Sequence, residues 1–188
     1  DADKEIIWIG THLGGLNKLD IRSGHFTHYR MEDNNRQTLP SDIVRDIIPY
    51  KDLLIVATQN GVCLFDPDSG KCRQLFKDSK EGKSIKMVAD ILLDSEGTLW
   101  IAATGEGVFN YRFDTRKLTN YRHDSANPNS LSNNNVNNIM QDSQGHLWFS
   151  TSGSGLDLYH PANNDFENFD KEKNGLASDC VYETQESA

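Results

Sequence analysis

The chain has 188 residues, of which 36% are hydrophobic and 25% charged, a composition that favours a globular domain over a disordered segment. Its formal net charge is −9, from 19 Lys and Arg against 28 Asp and Glu, and without a basic stripe the sequence argues against nucleic-acid binding. The longest apolar run, "LLIVA" at 53–57, is much shorter than the roughly 20 residues that cross a bilayer, so no membrane insertion by this segment is expected.

An apolar segment near the start introduces a pattern that recurs along the chain. "IWIGT" at 7–11 is followed by "LIVAT" at 54–58, "LWIAAT" at 99–104 and "LWFST" at 147–151. A glycine and an aliphatic residue follow each time, at Gly15, Gly61, Gly107 and Gly155. These glycines are spaced by 46, 46 and 48 residues (61−15, 107−61, 155−107), which identifies an internal repeat.

Two further segments complete each repeat. One precedes the Trp-bearing segment, as in "DIVRDII" from 42, and the other follows the glycine, as in "GHFTHY" ending at 29. Turns such as "DSEG" at 94–97 and "DSQG" at 142–145 separate them, since glycine allows the positive φ of such turns. Four short segments rich in Val, Ile and aromatic residues, at a period near 47, predict an all-β fold of four-stranded antiparallel β-propeller blades.

The pattern also predicts the bounds of the blades. The second to fourth strands of a first blade lie in 1–30, and complete blades lie in 41–76, 85–121 and 133–169. The first strand of a further blade lies in 178–188. This makes about four blade equivalents and 16 strands (3+4+4+4+1), without any helix longer than about three turns.

Apolar residues suggest how neighbouring blades pack. The strict alternation of a strand would place Val136 and Ile139, like Val44 and Ile47, on opposite faces of an inner strand. Leucines that recur five residues before the first valine of each inner strand are expected to fill the gaps between blades; they are Leu39, Leu131 and Leu176, with Ile85 in a similar place. The tryptophans share one position in their repeats, so Trp8, Trp100 and Trp148 are predicted to be buried structural residues.

The sequence offers little catalytic chemistry. His25 and His28 are three residues apart on a strand, so their rings point to opposite faces and no metal site is expected. The glycine-rich "ATGEG" at 103–107 joins two strands and opens no helix, so it is not a phosphate cradle. The "DSEG" and "DSQG" segments are interpreted as turns. No cofactor is predicted.

The three cysteines leave their redox state open. Cys63, Cys72 and Cys180 form no Cys-x-x-Cys pair, and an odd number cannot all pair within one chain. Small buried thiols are favoured because free cysteine is among the most buried residue types. A bridge between Cys63 and Cys72 across a hairpin is the alternative.

The ligand-binding face is predicted from the order of the turns. In a meander, loops between second and third strands share an end with the connections between blades. Ligand contacts are therefore expected in these loops and connections, at His12, Gln59, Glu106, Ser152, Asn133 and Asn134, with Asn34 and Asn35 on the same face. The Ser- and Asn-rich "SLSNNN" at 130–135 is expected mainly to cap backbone groups where strands diverge.

The stretch "SLSNNNVNNIMQDSQGHLWFSTSGSGLDLYHPANNDFENF" resembles the two-component regulator propeller repeat. The resemblance extends over nearly the whole chain. It is weaker in the second blade, where Ile55 replaces Trp and "PYKD" replaces the Asp-x-x-Gly turn.

The resemblance implies a periplasmic sensor segment of a membrane-bound hybrid histidine kinase of a Bacteroides-type bacterium. It implies a non-enzymatic segment that responds to glycan-derived oligosaccharides. A fragment of a propeller-type polysaccharide lyase or glycoside hydrolase is the alternative, and a passive spacer or dimer scaffold is a third.

The phase of the repeat suggests self-association. The chain starts before a second strand and ends after a first strand, and the resemblance implies seven blades in the whole propeller. Closing four blades within one chain would require 90° per blade (360/4), whereas two chains joined head to tail would require 45° (360/8). The sequence therefore predicts a dimer in which residues 180–185 pair with the first blade of a second copy.

Overall fold

The computed structural model describes residues 5–79 and 81–187. The chain divides into two compact units, residues 1–88 and 89–188, which are described separately. Nearly all regular structure is β-strand; the described helices are one 3₁₀ turn at Glu81–Ser84 and the single-turn α1 at Lys171–Asn174. The predicted all-β fold is confirmed.

The first unit contains two antiparallel sheets. The first sheet has the order β1 (Ile6–Thr11), β2 (Gly15–Asp20) and β3 (His25–Tyr29). The second has the order β4 (Val44–Tyr50), β5 (Leu53–Thr58), β6 (Gly61–Phe65) and β7 (Cys72–Gln74). Consecutive strands are neighbours in both sheets, as expected for meander blades.

The second unit repeats this arrangement. One sheet contains β8 (Val88–Leu93), β9 (Thr98–Ala103), β10 (Gly107–Arg112) and β11 (Lys117–Tyr121), where β8 begins at the unit boundary. The other contains β12 (Val136–Gln141), β13 (Leu147–Thr151), β14 (Leu156–His160) and β15 (Asp165–Phe169).

In three blades a glycine lies at, or directly before, the start of the third strand, where the backbone of the fourth strand approaches closely. Gly15, Gly107 and Gly155 have φ angles of +72°, +80° and +81°. A Cβ at these positions would lie 2.1–2.2 Å from the carbonyl oxygen of the last residue of the fourth strand. Any side chain would therefore clash with the neighbouring strand, which explains the repeated glycine.

The predicted sixteenth strand, in 178–188, does not form. Within the described residues, the structure has 15 strands, and the final segment contributes one isolated bridge between Ser152 and Cys180. Val181 N also donates to Thr151 O, but the amide of Thr184 bonds to the side-chain oxygen of Asn138. A ladder cannot propagate where side chains replace the backbone partners. Residue 188 lies outside the described residues.

The predicted orientation of two inner strands is wrong because each contains a β-bulge. The register shifts between Val136 and Asn138, so that Val136 pairs with Thr151 and Ile139 with Phe149. Residues 151 and 149 share a face, so Val136 and Ile139 also share one, and both are buried in one cluster. The same shift between Val44 and Asp46 places Val44 and Ile47 on one face. An extra residue in a bulge reverses the alternation that follows it.

The leucines before the inner strands are core residues. Leu39 is 2% exposed and lies in the cluster of the first unit, and Leu131 is fully buried in the cluster of the second. Leu176 is only half-buried. Of the cysteines, Cys63 and Cys72 are buried as predicted, whereas Cys180 is exposed, because the final segment lies outside any sheet.

The tryptophans differ in burial more than their shared position predicts. Trp100 is 3% exposed and packs between sheets against Phe149 and Tyr159, with ring centroids 5.5 and 5.1 Å away. Trp8 and Trp148 are only half-buried, less than the prediction of buried residues implies. Trp8 packs on Tyr29 and Phe65, and the ammonium of Lys18 lies over its ring. Trp148 packs on Phe169 of its own sheet.

Candidate functional site

The Asp-x-x-Gly turns hold the tryptophans. Asp94 Oδ1 accepts from the amides of Glu96 and Thr98, and its Oδ2 accepts from Trp100 Nε1 at 2.8 Å. Asp142 repeats this geometry with Trp148 Nε1 at 3.0 Å. The indole hydrogen bond, together with bonds from His146 and the turn backbone, lowers the pKa of Asp142 to about 2. These carboxylates are occupied internally, which supports the interpretation of the segments as structural turns.

The connections between blades also use repeated hydrogen bonds. Asn134 O accepts from the amides of Gly105 and Gly107, while its side-chain oxygen accepts from His123 N. Asp42 and Asp179 occupy the same position in their repeats and make equivalent bonds. Each main-chain oxygen accepts from the amide of a turn glycine. Each carboxylate accepts from the amide of the second residue after the fourth strand of its blade, which is Met31 or Lys171. The expectation that the Asn-rich connection caps backbone groups agrees with this geometry.

Three predicted ligand contacts of the second unit have partners within it. The amide of Asn133 donates to Ser152 O at 3.3 Å, and Ser152 Oγ donates to Asn137. Glu106, in the turn between β9 and β10, forms an ion pair with Arg122. The structure thus brings Asn133 together with Ser152, and Asn134 next to the turn of Glu106.

The predicted residues of the first unit are divided between two places. His12 is exposed in the turn after β1. Gln59 is half-buried, with its backbone bonded to Ile43 and Met87. Asn34 and Asn35, by contrast, line a cleft together with Asn60, the neighbour of Gln59.

This cleft is a concave surface formed entirely by the first unit. It has a volume of about 620 Å³, within the range of small-molecule sites, and lies between the connection after β3 and the connection after β7. Three buried apolar side chains contribute to its lining: Leu39, Val62 and Ile85. Amide groups that can bond to hydroxyls also line it: Asn34, Asn35, Asn60 and Gln74.

Hydrogen bonds fix both walls of the cleft. In the first wall, Asn35 N donates to Glu32 O, its side-chain amide donates to Glu32 Oε2 at 2.8 Å, and Thr38 Oγ1 donates to Asn35 O. In the second wall, Gly82 N donates to Ser79 Oγ at 2.9 Å. A cleft with walls held in this way requires little ordering when a ligand binds.

The rim of the cleft carries charged side chains that the sequence analysis did not identify. They are the acidic Glu32 and Asp33 and the basic Arg36, Lys77, Lys83 and Lys86. The sequence contained a signal for the basic set, because a lysine occurs at every third position from 77 to 86. Without the fold, nothing indicated that Arg36 lies in the opposite wall.

A buried carboxylate lies in the second unit. Asp157 is fully buried; its Oδ2 accepts from Ser132 N and Ser132 Oγ, and its Oδ1 accepts from Asn168. Burial raises the pKa of Asp157 to about 6, despite these hydrogen bonds. The network ties the connection before β12 to the third and fourth strands of that blade, so its role is structural.

Neither a metal-binding cluster nor a membrane-spanning helix is present in the described parts of the chain. No group of three or more His, Cys, Asp or Glu side chains there is arranged to hold a metal ion. None of the helices in residues 5–79 and 81–187 is long and apolar enough to span a membrane.

One stretch of the second unit matches a known repeat. Residues 130–153 match the two component regulator propeller family. The resemblance is therefore confirmed in the stretch where the sequence carries it most strongly. No curated protein matches the chain.

Solved structures share the fold. The extracellular domain of the hybrid two component system BT3049 from B. thetaiotaomicron is similar over 87% of this chain, with a TM-score of 0.75 and 23% identity. That of BT4673 from the same organism is similar over 95%, with a TM-score of 0.72 and 22% identity. An ancestral GH74 enzyme is similar over 92%, with a TM-score of 0.66 and 13% identity.

The chain corresponds to only part of each of these structures. It spans 22% of the BT3049 domain, 23% of the BT4673 domain and 23% of the GH74 enzyme. At these identities the similarity shows a shared propeller fold, which occurs both in extracellular domains of hybrid two component systems and in an enzyme.

Proposed function

We propose that this chain is a non-enzymatic segment of the extracytoplasmic, periplasmic sensor region of a hybrid two-component histidine kinase. The match of residues 130–153 to the two component regulator propeller supports this proposal, as do two structural neighbours that are extracellular domains of hybrid two component systems. Kinase activity would belong to other parts of such a protein. Seven blades in the whole propeller remain a prediction.

We further propose that the segment contributes to binding a glycan-derived oligosaccharide at the cleft of the first unit. The observation that carries this proposal is the combination of apolar residues and amide side chains in the lining of the cleft. Sugars present apolar C–H faces and many hydroxyls, so this combination of groups suits them. Of the residues predicted on the ligand-binding face of the first unit, Asn34 and Asn35 line this cleft, whereas His12 and Gln59 do not.

The test is a thermal-shift screen of oligosaccharides against the complete extracytoplasmic region, followed by calorimetry on each hit. An Asn60→Ala, Gln74→Ala variant should bind a hit more weakly, whereas Asn110→Ala, on β10 of the second unit, should bind it equally well. If no oligosaccharide stabilises the protein, or if the cleft variant binds normally, the site assignment is wrong. The alternative hydrolase or lyase function predicts instead that a hit is cleaved during incubation, which chromatography of the sugar would show.

A further inference from the structure

The core of the first unit brings two cysteines into contact. Cys63 on β6 pairs across the sheet with Gln74, and Cys72 on β7 pairs with Phe65. Directly paired residues share a face, so Cys63 and Cys72 lie diagonally on the same face. Their sulfurs are 3.3 Å apart, and the two residues are 0% and 5% exposed. A disulfide bond of about 2.05 Å requires these sulfurs to approach by only about 1.3 Å.

We propose that Cys63 and Cys72 are a disulfide site that is oxidised when the protein folds outside the cytoplasm. The proposal rests on the extracytoplasmic location proposed above, since such compartments favour disulfides. The oxidant is a disulfide-bearing oxidoreductase or oxidised glutathione. One cysteine thiolate attacks the oxidant's disulfide, forms a mixed disulfide with one half of it and releases the other half as a thiol. The second cysteine then attacks the mixed disulfide, closes the bond between Cys63 and Cys72 and releases the remaining half as a thiol. Two protein thiols are thus oxidised while one disulfide of the oxidant is reduced to two thiols.

The bond forms before the sheets pack. In the folded unit, the hydrogen bond with Cys72 and burial raise the pKa of the Cys63 thiol, and the attacking species is the thiolate. Oxidation of the folded protein is therefore slow, and oxidation during refolding is fast. Cys180 is exposed and remains a free thiol.

The test is refolding of the denatured, reduced Cys180→Ser variant in a buffer of reduced and oxidised glutathione. The number of thiols per chain, titrated in denaturant, should fall from two to none. Trypsin should release a cross-linked product in which a disulfide joins peptide 52–71 to peptide 72–73. The oxidised form should melt several degrees higher than its reduced form, because the bond restricts the unfolded chain. Two free thiols after refolding would overturn the proposal. If the bond forms in this buffer but protein recovered from the periplasm has free thiols, the two cysteines are able to form the disulfide. The proposed extracytoplasmic location would then be wrong.

A second inference comes from the charges of the cleft. The chain is strongly acidic, yet four cations and two carboxylates line the cleft. Arg36, Lys77, Lys83 and Lys86 form no ion pair with any other described residue. Asp78 and Glu81 belong to the same connection but do not line the cleft. The cleft thus has more positive than negative side chains, and its four cations have no ion-pair partner among residues 5–79 and 81–187.

We infer that the oligosaccharide bound at the cleft is anionic, carrying carboxylate or sulfate groups. This inference rests on the proposed function and specifies its ligand class. Basic side chains at a rim attract an anion from solution and bond to it once it is bound, and a bond between charged groups is stronger than one between neutral groups. The apolar residues and amides of the lining can contact the C–H faces and hydroxyls of a sugar, which a simple ion lacks.

Calorimetry with four probes tests this inference: digalacturonate, a sulfated disaccharide, maltotriose and inorganic sulfate. At least one anionic sugar should bind, more weakly as salt increases, and Lys83→Gln with Lys86→Gln should weaken it about tenfold. Lys117→Gln with Lys171→Gln makes the same charge change in the other unit and should have little effect. Tighter binding of maltotriose would overturn the anionic class while leaving the sensor function standing. If inorganic sulfate binds as tightly as the anionic sugars, the cleft is only an ion site, and the inference of an anionic oligosaccharide is also overturned.

Discussion

Replacing Trp100 with alanine should destabilise the second unit strongly. Trp100 is 3% exposed and contacts aromatic rings of the neighbouring sheet. A buried aromatic side chain removes roughly 150–250 Å² from water, and truncation of such a residue to alanine costs about 3–5 kcal/mol. The substitution also leaves Asp94 Oδ2 without the indole bond that it accepts at 2.8 Å.

Urea unfolding followed by circular dichroism would measure this loss. Trp148→Ala is the matched control, because Trp148 has the same position in its repeat and donates to the equivalent carboxylate, Asp142, but is only half-buried. We expect that control to cost roughly 1–2 kcal/mol. Trp100→Phe, which keeps a ring and removes the hydrogen bond, should fall between them. If Trp100→Ala unfolds within about 1 kcal/mol of the original chain, the ring is not a packing residue and the argument fails.

Three further predictions concern other parts of the chain. The pKa of Asp157 is about 6 in the folded state against 3.8 ordinarily, so the folded state keeps this proton longer as pH rises. The free energy of unfolding should therefore fall by about 3 kcal/mol in total between about pH 3 and pH 7, mostly between pH 4 and pH 6, and stay lower above that. Asp157→Asn should remove this fall. If urea titrations across this pH range show the same fall in the variant, Asp157 is not its cause. Gly82→Ala should destabilise the cleft wall by about 1–3 kcal/mol in the same assay, because an added Cβ would lie 2.3 Å from Phe76; unchanged stability would show that the wall yields freely. Light scattering should show a dimer of the 21.2 kDa chain, whereas a monomer with hydrogen-exchange protection in 180–185 would exclude head-to-tail pairing.

Several features of the fold could be predicted from the sequence because they depend on neighbouring residues. Turn glycines, short apolar segments and a period near 47 identify meander blades, since each blade is a local unit of consecutive strands. Leu39 and Leu131 could be assigned to the core in the same way, because they precede each inner strand at a constant spacing. The Asn-rich connections were likewise interpretable as capping segments.

Other features depend on contacts between segments that are distant in sequence. The bulges that place Val136 and Ile139 on one face result from pairing with β13, and no alternation pattern shows an extra residue. The burial of Trp100 and the partial exposure of Trp148 follow from which sheet covers each ring, although both residues occupy the same repeat position. The approach of the Cys63 and Cys72 sulfurs, and the meeting of Arg36 with the lysines of the opposite wall, arise only when strands and connections pack in three dimensions.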